Sequence, residues 1–150
     1  MPAAEGYPCP SPVGTWLIVP GRTGIARLRF TRRRMRPSGP VPALVRRCMR
    51  ELSAHFAGRL PAFTVPLDLT GLTPFRRRVL VALRRVPRGR TIAYSELARR
   101  AGCPGGAVGA NPLPVIIPCH RVIAAGGRPG GFGLGLPLKR RLPALEGVRL

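Results

Sequence analysis

Acidic residues are scarce in this chain: 5 Asp and Glu stand against 26 Lys and Arg in 150 residues, a formal net charge of +21. Lysine is nearly absent too, occurring only at Lys139, so arginine carries the excess. The imbalance excludes a self-neutralised surface and points to a polyanionic partner, of which nucleic acid is the simplest. Part of it also fits an arginine-biased composition. No apolar run reaches the ~18 residues of a membrane span. The opening MPAAEGYPCP has neither the basic start nor the apolar stretch of a secretory signal, so a cytoplasmic protein without a membrane partner is expected. Cysteine is sparse: Cys9, Cys48, Cys103 and Cys119 form no CxxC pair, and only His55 and His120 accompany them. That set indicates neither a zinc cluster nor a disulfide framework. The chain does have apolar material, 45% of its residues, which is enough for a core and excludes a purely disordered basic tail.

Residues 1–10, with three prolines and no periodicity, read as a loose lead-in. Trp16 to Val19 and Ile25 to Phe30 predict a β-hairpin, because Ala26, Leu28 and Phe30 alternate with Arg27 and Arg29. After a polar, arginine-rich loop, Pro42 suits the first turn of a helix whose Leu44, Val45, Cys48, Met49, Leu52 and Phe56 share one face. Gly58 stops it. On this reading Cys48 is an inert core thiol and His55 takes a surface or capping role. The proline-punctuated stretch Arg59 to Gly71 separates two domains, placed at 1–66 and 67–150. The second opens with Thr73 as cap, Pro74 at the first helical position and a stripe of Phe75, Val79, Ala82, Leu83 and Val86. Arg76, Arg77, Arg78, Arg84 and Arg85 lie on the other face. A turn and a short helix from Ser95 to Ala101, ended by Gly102, give the cadence of a helix-turn-helix, a weak signal by itself.

The stretch Asn111 to Val122, NPLPVIIPCHRV, carries chemistry. A short apolar run, Val115 to Ile117, delivers a Pro-Cys-His-Arg turn. The thiolate is the nucleophilic form of cysteine, and a neighbouring base or positive charge raises its population. An isolated Cys-His pair is more often a buried cysteine beside a polar neighbour, so the wider pattern decides. That pattern comprises Ile117 to Val122 (IPCHRV), Asn111-Pro112, Pro74-Phe75 and Tyr94-Ser95 with Leu97-Ala98. It continues in Gly130 to Phe132, in the tail from Leu138-Lys139 to Glu146-Gly147, and in the earlier segments SPVGTWLIV, GIARLRF, HFAGR and PLDLTG. From Ser11 onward the chain resembles the O6-alkylguanine-DNA alkyltransferases, the suicide DNA-repair methyltransferases.

The resemblance implies an α+β protein with a small RNase H-like N-terminal domain and a winged helix-turn-helix C-terminal domain. It also implies roles. Cys119 accepts the alkyl group from guanine O6, irreversibly and once per molecule. His120 takes the thiol proton through a water, Glu146 polarises His120, and Asn111 braces the turn. Tyr94 donates a proton or hydrogen bond to guanine N3. Pro114, Val122, Phe132 and Gly133 line the alkyl pocket, and Ala107, Gly109 and Arg121 meet DNA. The implied partner is double-stranded DNA carrying O6-alkylguanine, with the lesion flipped out of the stack. It is bound by a monomer that is cytoplasmic and, when on DNA, nucleoid-associated. The transfer needs no metal or organic cofactor. A non-catalytic alkyltransferase-like lesion-binding protein is the alternative, although such relatives usually lack the cysteine.

Three departures from the family pattern carry expectations. The interval Cys103 to Ala110 is shorter than the family's corresponding interval, which holds the recognition helix, and Gly106 stands where an arginine that fills the vacated base stack belongs. With Gly105, Gly106 and Gly109 it is a poor helix former, so duplex lesion flipping is expected to suffer. Phe132-Gly133-Leu134 replaces aromatic-Ser-Gly. Pro143 interrupts the last expected helix, Pro137 to Glu146, at a cost of ~3 kcal/mol, and the sequence leaves open whether Glu146 is displaced from His120.

Overall fold

The computed structural model describes residues 6–60, 62–102, 111–123, 142 and 146. The chain is α+β and divides into two compact units, Met1–Thr70 and Gly71–Leu150. Among the described residues no helix is long and apolar enough to cross a membrane.

In the first unit β1 (Tyr7–Ser11), β2 (Gly14–Pro20) and β3 (Ile25–Thr31) form an antiparallel sheet in that order. The helix α1 (Ala43–Phe56) packs against all three strands. Alternation fixes the faces: Trp16 pairs with Cys9 and Phe30, and Ile18 with Leu28, while Arg27 and Arg29 face outward. Residues 7–10, expected to belong to a loose lead-in, are therefore part of an edge strand. Pro8 and Pro10 are compatible with it because they occupy alternate positions, where an edge amide faces away from its neighbour and no ladder bond is missed.

His55 also departs from expectation. It is 3% exposed, edge-on to Phe56 at 5.2 Å and 5.3 Å from Phe63. Its position three residues after Leu52 and seven after Cys48 puts it on the buried stripe of α1. Burial pushes the Cys9 thiol up to about 11. Burial, together with the charges of Cys9 and Glu51, pushes Cys48 up to about 12. Both thiols are therefore inert at neutral pH.

The residues after Val65 belong to this unit. Ile25 N donates to Pro66 O at 2.8 Å and Asp68 N to Ile25 O at 2.9 Å. The Asp68 carboxylate accepts from Arg22 N at 2.9 Å and Thr70 N at 3.0 Å, pinning the β2–β3 turn. These bonds tie residues 66–70 to the first unit, which ends at Thr70. Gly24 has no room for a side chain there, since a Cβ would collide with the Pro66 carbonyl.

In the second unit Thr73 caps α2 (Pro74–Arg84), its Oγ1 accepting from Arg76 N at 3.2 Å. Val79, Leu80 and Leu83 are buried, with Val86 just beyond the helix, so Leu80 joins the core where the expected stripe had Ala82. β4 (Ile92–Ala93) runs straight into α3 (Tyr94–Ala101), which Gly102 ends in the left-handed region at φ 69°. β4 pairs in parallel with β5 (Val122–Ile123) in the register Ile92 to Val122 and Ala93 to Ile123. That short pairing joins the start of α3 to the end of the Pro-Cys-His-Arg turn.

Candidate active site

Asn111 closes the loop that leads into the motif. Its Oδ1 accepts from Leu113 N at 2.9 Å and its Nδ2 donates to Ile117 O at 2.7 Å. Ile117 N donates to Leu113 O at 2.8 Å, and Pro114 bridges Ile117. Inside this loop Val115 has φ 76°. A β-branched residue in that region is strained by about 1–3 kcal/mol and persists only where its surroundings enforce it. Here Leu113 to Val122 are all buried, and the two Asn111 bonds hold both ends of the loop.

The motif itself is a single 3-10 turn, Cys119–Arg121, closed by Arg121 N donating to Pro118 O at 2.9 Å. Cys119 and His120 are both buried. His120 Nε2 lies 3.0 Å from Glu146 Oε2. Arg121 grips the same carboxylate through Nε to Oε1 at 2.8 Å and Nη2 to Oε2, and its Nη1 donates to Val86 O at 2.7 Å. Burial opposes ionisation of Glu146, but the hydrogen bonds and charges of Arg121 and His120 outweigh it and hold the carboxyl well below the usual range. An ionised carboxylate only accepts, so His120 Nε2 carries the hydrogen and Nδ1 is the ring's proton acceptor. The result is a base adjacent in sequence to a buried thiol, oriented by an anion. Tyr94, half-buried at the start of α3, is raised above its ordinary range by burial and by the nearby Cys119 charge.

The structure thus assembles Asn111, Pro114, Cys119, His120 and Val122 on one folded segment, with Glu146 hydrogen-bonded to it and Tyr94 electrostatically coupled. The question that Pro143 left open is answered by Glu146 itself, which sits within hydrogen-bond distance of His120 with both its carboxylate oxygens bonded to Arg121. Arg121, for which a DNA contact is expected, is 9% exposed in the free protein and directs its guanidinium to Glu146 and Val86 O. Ala107, Gly109, Phe132 and Gly133 lie outside the described residues, as does the interval expected to be a shortened recognition helix. The anchoring role of Arg121 and the Val86 carbonyl was missed. The available signal was one charge in an otherwise apolar run, since a buried charge requires a partner. Among the described residues no three His, Cys, Asp or Glu side chains converge as a metal site.

The low folded pKa of Glu146 has a signed consequence. Its unfolded value is near 4.5, so its contribution to stability is complete above that pH and is lost as pH falls below it toward the folded value. Thermal melts from pH 7 to pH 3 should show a decline below about 4.5 that is shallower in Glu146→Gln. Parallel curves for the two proteins would contradict the ionised, hydrogen-bonded carboxylate.

Residues 74–148 match the family described as 6-O-methylguanine DNA methyltransferase, DNA binding domain. The chain is 39% identical over 149 residues to the methylated-DNA–protein-cysteine methyltransferase of Mycobacterium tuberculosis (strain H37Rv), covering 93% of this chain and 90% of that protein. It is 40% identical over 146 residues to the DNA base-flipping protein of Thermus thermophilus, covering 93% of this chain and 97% of that one. The crystal structure of Mycobacterium tuberculosis OGT in complex with DNA superposes with a TM-score of 0.81 at 38% identity, covering 94% of this chain and 92% of that chain. With its Cys-His-Glu geometry and a matching family domain over its second half, the chain belongs to the O6-methylguanine-DNA methyltransferase family.

Proposed function

We propose that this protein repairs O6-alkylguanine in DNA by moving the alkyl group, methyl foremost, to its own Cys119, once per molecule. The observation that carries this reading is the buried His120–Glu146 hydrogen bond, on the residue that follows Cys119 in the turn, in a chain of this family. The Cys119 proton passes through a water to His120 Nδ1, and the ionised Glu146 on the opposite ring nitrogen stabilises the imidazolium that forms. The thiolate attacks the alkyl carbon in line with the O6 bond. An S–C bond forms, the C–O bond breaks, and the electron pair leaves with guanine. Tyr94 donates to guanine N3 and offsets the charge on the departing base. Pro114 and Val122, with Phe132 and Gly133, form the alkyl pocket, and Asn111 keeps the turn rigid. Ala107 and Gly109 contact DNA.

We read the first unit as a small RNase H-like domain and the second as a winged helix-turn-helix, acting as a monomer in the cytoplasm on nucleoid DNA. With the protein limiting and an O6-methylguanine duplex in excess, restored guanine should plateau at one per protein molecule. The second reading, lesion binding without transfer, is favoured by the likeness to the Thermus thermophilus base-flipping protein. Lesion-dependent affinity with no guanine restored would establish it and overturn the first.

Two further outcomes are expected. DNA affinity will be largely non-specific, falling by orders of magnitude between about 50 and 200 mM salt if ~6 phosphates are neutralised. A flat salt response in a binding titration would make the +21 charge compositional. The second concerns strand preference. With Gly106 in place of a stack-filling arginine, the few kcal/mol needed to unstack a paired base are not offset. Cys119 should therefore react comparatively better with free benzylated guanine or single-stranded lesions than with duplex lesions. Single-turnover rates on the three substrates check this, and a strong duplex advantage would mean another residue fills the stack.

A further inference from the structure

We infer that Val115 is a positioning residue for Cys119, acting through the carbonyl of Ile117. The inference rests on the alkyl-transfer reading, in which Cys119 is the nucleophile. Val115 is the only non-glycine residue with a positive φ among the described residues. Valine by itself is a poor choice for that conformation, because its branched Cβ crowds the backbone, whereas glycine or asparagine adopts it at little cost. What valine supplies is bulk: it is 1% exposed, packed in the buried run from Leu113 to Val122. A packed side chain on an otherwise unfavourable backbone holds one conformation where glycine samples several.

The left-handed residue decides where the Ile117 carbonyl points. Ile117 N donates to Leu113 O at 2.8 Å, which closes a turn with Val115 at its centre. A right-handed Val115 would continue this turn as helix, with the Ile117 carbonyl aimed onward along the axis. An extended Val115 would part Leu113 from Ile117. At φ 76° the chain instead doubles back, Pro114 bridges Ile117, and the Ile117 carbonyl faces Asn111. That oxygen accepts twice, from Asn111 Nδ2 at 2.7 Å and from Cys119 N at 2.8 Å.

Between Ile117 and Cys119 stands only Pro118, at φ −80° and ψ 68°, the well of an inverse γ-turn. Its ring fixes φ, so the link is stiff. Cys119 then starts the 3-10 turn that Arg121 N closes on Pro118 O. The place of the sulfur is thus referred back, through one carbonyl and one proline, to the conformation at residue 115. Asn111 holds the two ends of the loop, at Leu113 N and Ile117 O, and leaves its middle to Val115. In-line displacement is sensitive to this placement, since a misplacement of about 1 Å can cost on the order of 100-fold in rate.

The test compares Val115→Gly, Val115→Ala and Val115→Ile in the full-length protein. At a left-handed position glycine is more stable than alanine, the reverse of the usual order, so Val115→Gly should have the higher denaturant midpoint of the two. Its maximal single-turnover rate of transfer from O6-benzylguanine should nonetheless fall about tenfold, with the half-saturating concentration unchanged. Amide exchange at Cys119 should be about tenfold faster in that variant and unchanged at the core amides of α2. Val115→Ile, which keeps the branched Cβ, should retain the wild-type rate. A higher midpoint for alanine than for glycine overturns the proposal, because residue 115 would then not be left-handed. So does Val115→Gly with both the rate and the Cys119 exchange of the wild type, which would leave Val115 a core side chain only. A wild-type protein that transfers nothing would instead fail the alkyl-transfer reading, and the Cys119 exchange comparison would still decide whether Val115 holds that residue in place.

Discussion

Cys119→Ser will abolish alkyl transfer while leaving DNA affinity nearly unchanged. A serine hydroxyl is far less ionised than a thiol and is a much weaker nucleophile, so it cannot replace sulfur in this displacement. The substitution changes one atom in a buried turn whose shape depends on backbone bonds, Cys119 N to Ile117 O at 2.8 Å and Arg121 N to Pro118 O at 2.9 Å. The fold therefore survives it. Among the described residues the other thiols do not rescue the variant: Cys9 and Cys48 are buried in the first unit, and burial pushes them up to about 11 and about 12, while Cys103 lies outside the described residues. Transfer of label from an O6-benzylguanine-type base, set beside a DNA-binding titration, measures both quantities. Label removed by the serine variant would move the acceptor to another cysteine.

Arg121→Met is expected to have the largest effect on stability. Arg121 and Glu146 have side chains 11% and 0% exposed, and the guanidinium bonds both carboxylate oxygens as well as Val86 O. Removing one partner of a buried pair leaves an uncompensated charge, which costs about 3–5 kcal/mol. Adding Glu146→Gln to that variant removes the stranded charge and should recover part of the loss. Denaturant unfolding of the single and double variants measures this. A cost under about 1 kcal/mol, as for an exposed arginine pair, would place Arg121 back on the surface. DNA affinity of the single variant, corrected for its folded fraction, should change little.

The β2–β3 hairpin and the three helices were legible from local pattern, because Arg27 and Arg29 alternate with apolar residues and because Thr73-Pro74 marks a helix start. β1 was not legible. Its two prolines argue against a strand until the parity of an edge position is known, and parity is set by the partner strand. His55 was misplaced by its residue type, although its helical phase matched Leu52 and Cys48. The catalytic segment was legible through the IPCHRV resemblance. The proximity of His120 and Glu146, 26 residues apart, has no local signature. The effect of Pro143 was not legible for the same reason: helix propensity is local, whereas Glu146 is held by tertiary bonds from Arg121.

Mass spectrometry of the intact protein after incubation with O6-methylguanine DNA tests the central claim most directly. The account predicts a gain of one methyl mass per molecule, localised by peptide mapping to Cys119 and absent from Cys119→Ser. An unchanged mass under conditions where the lesion is bound, or a methyl group on another residue, would contradict it.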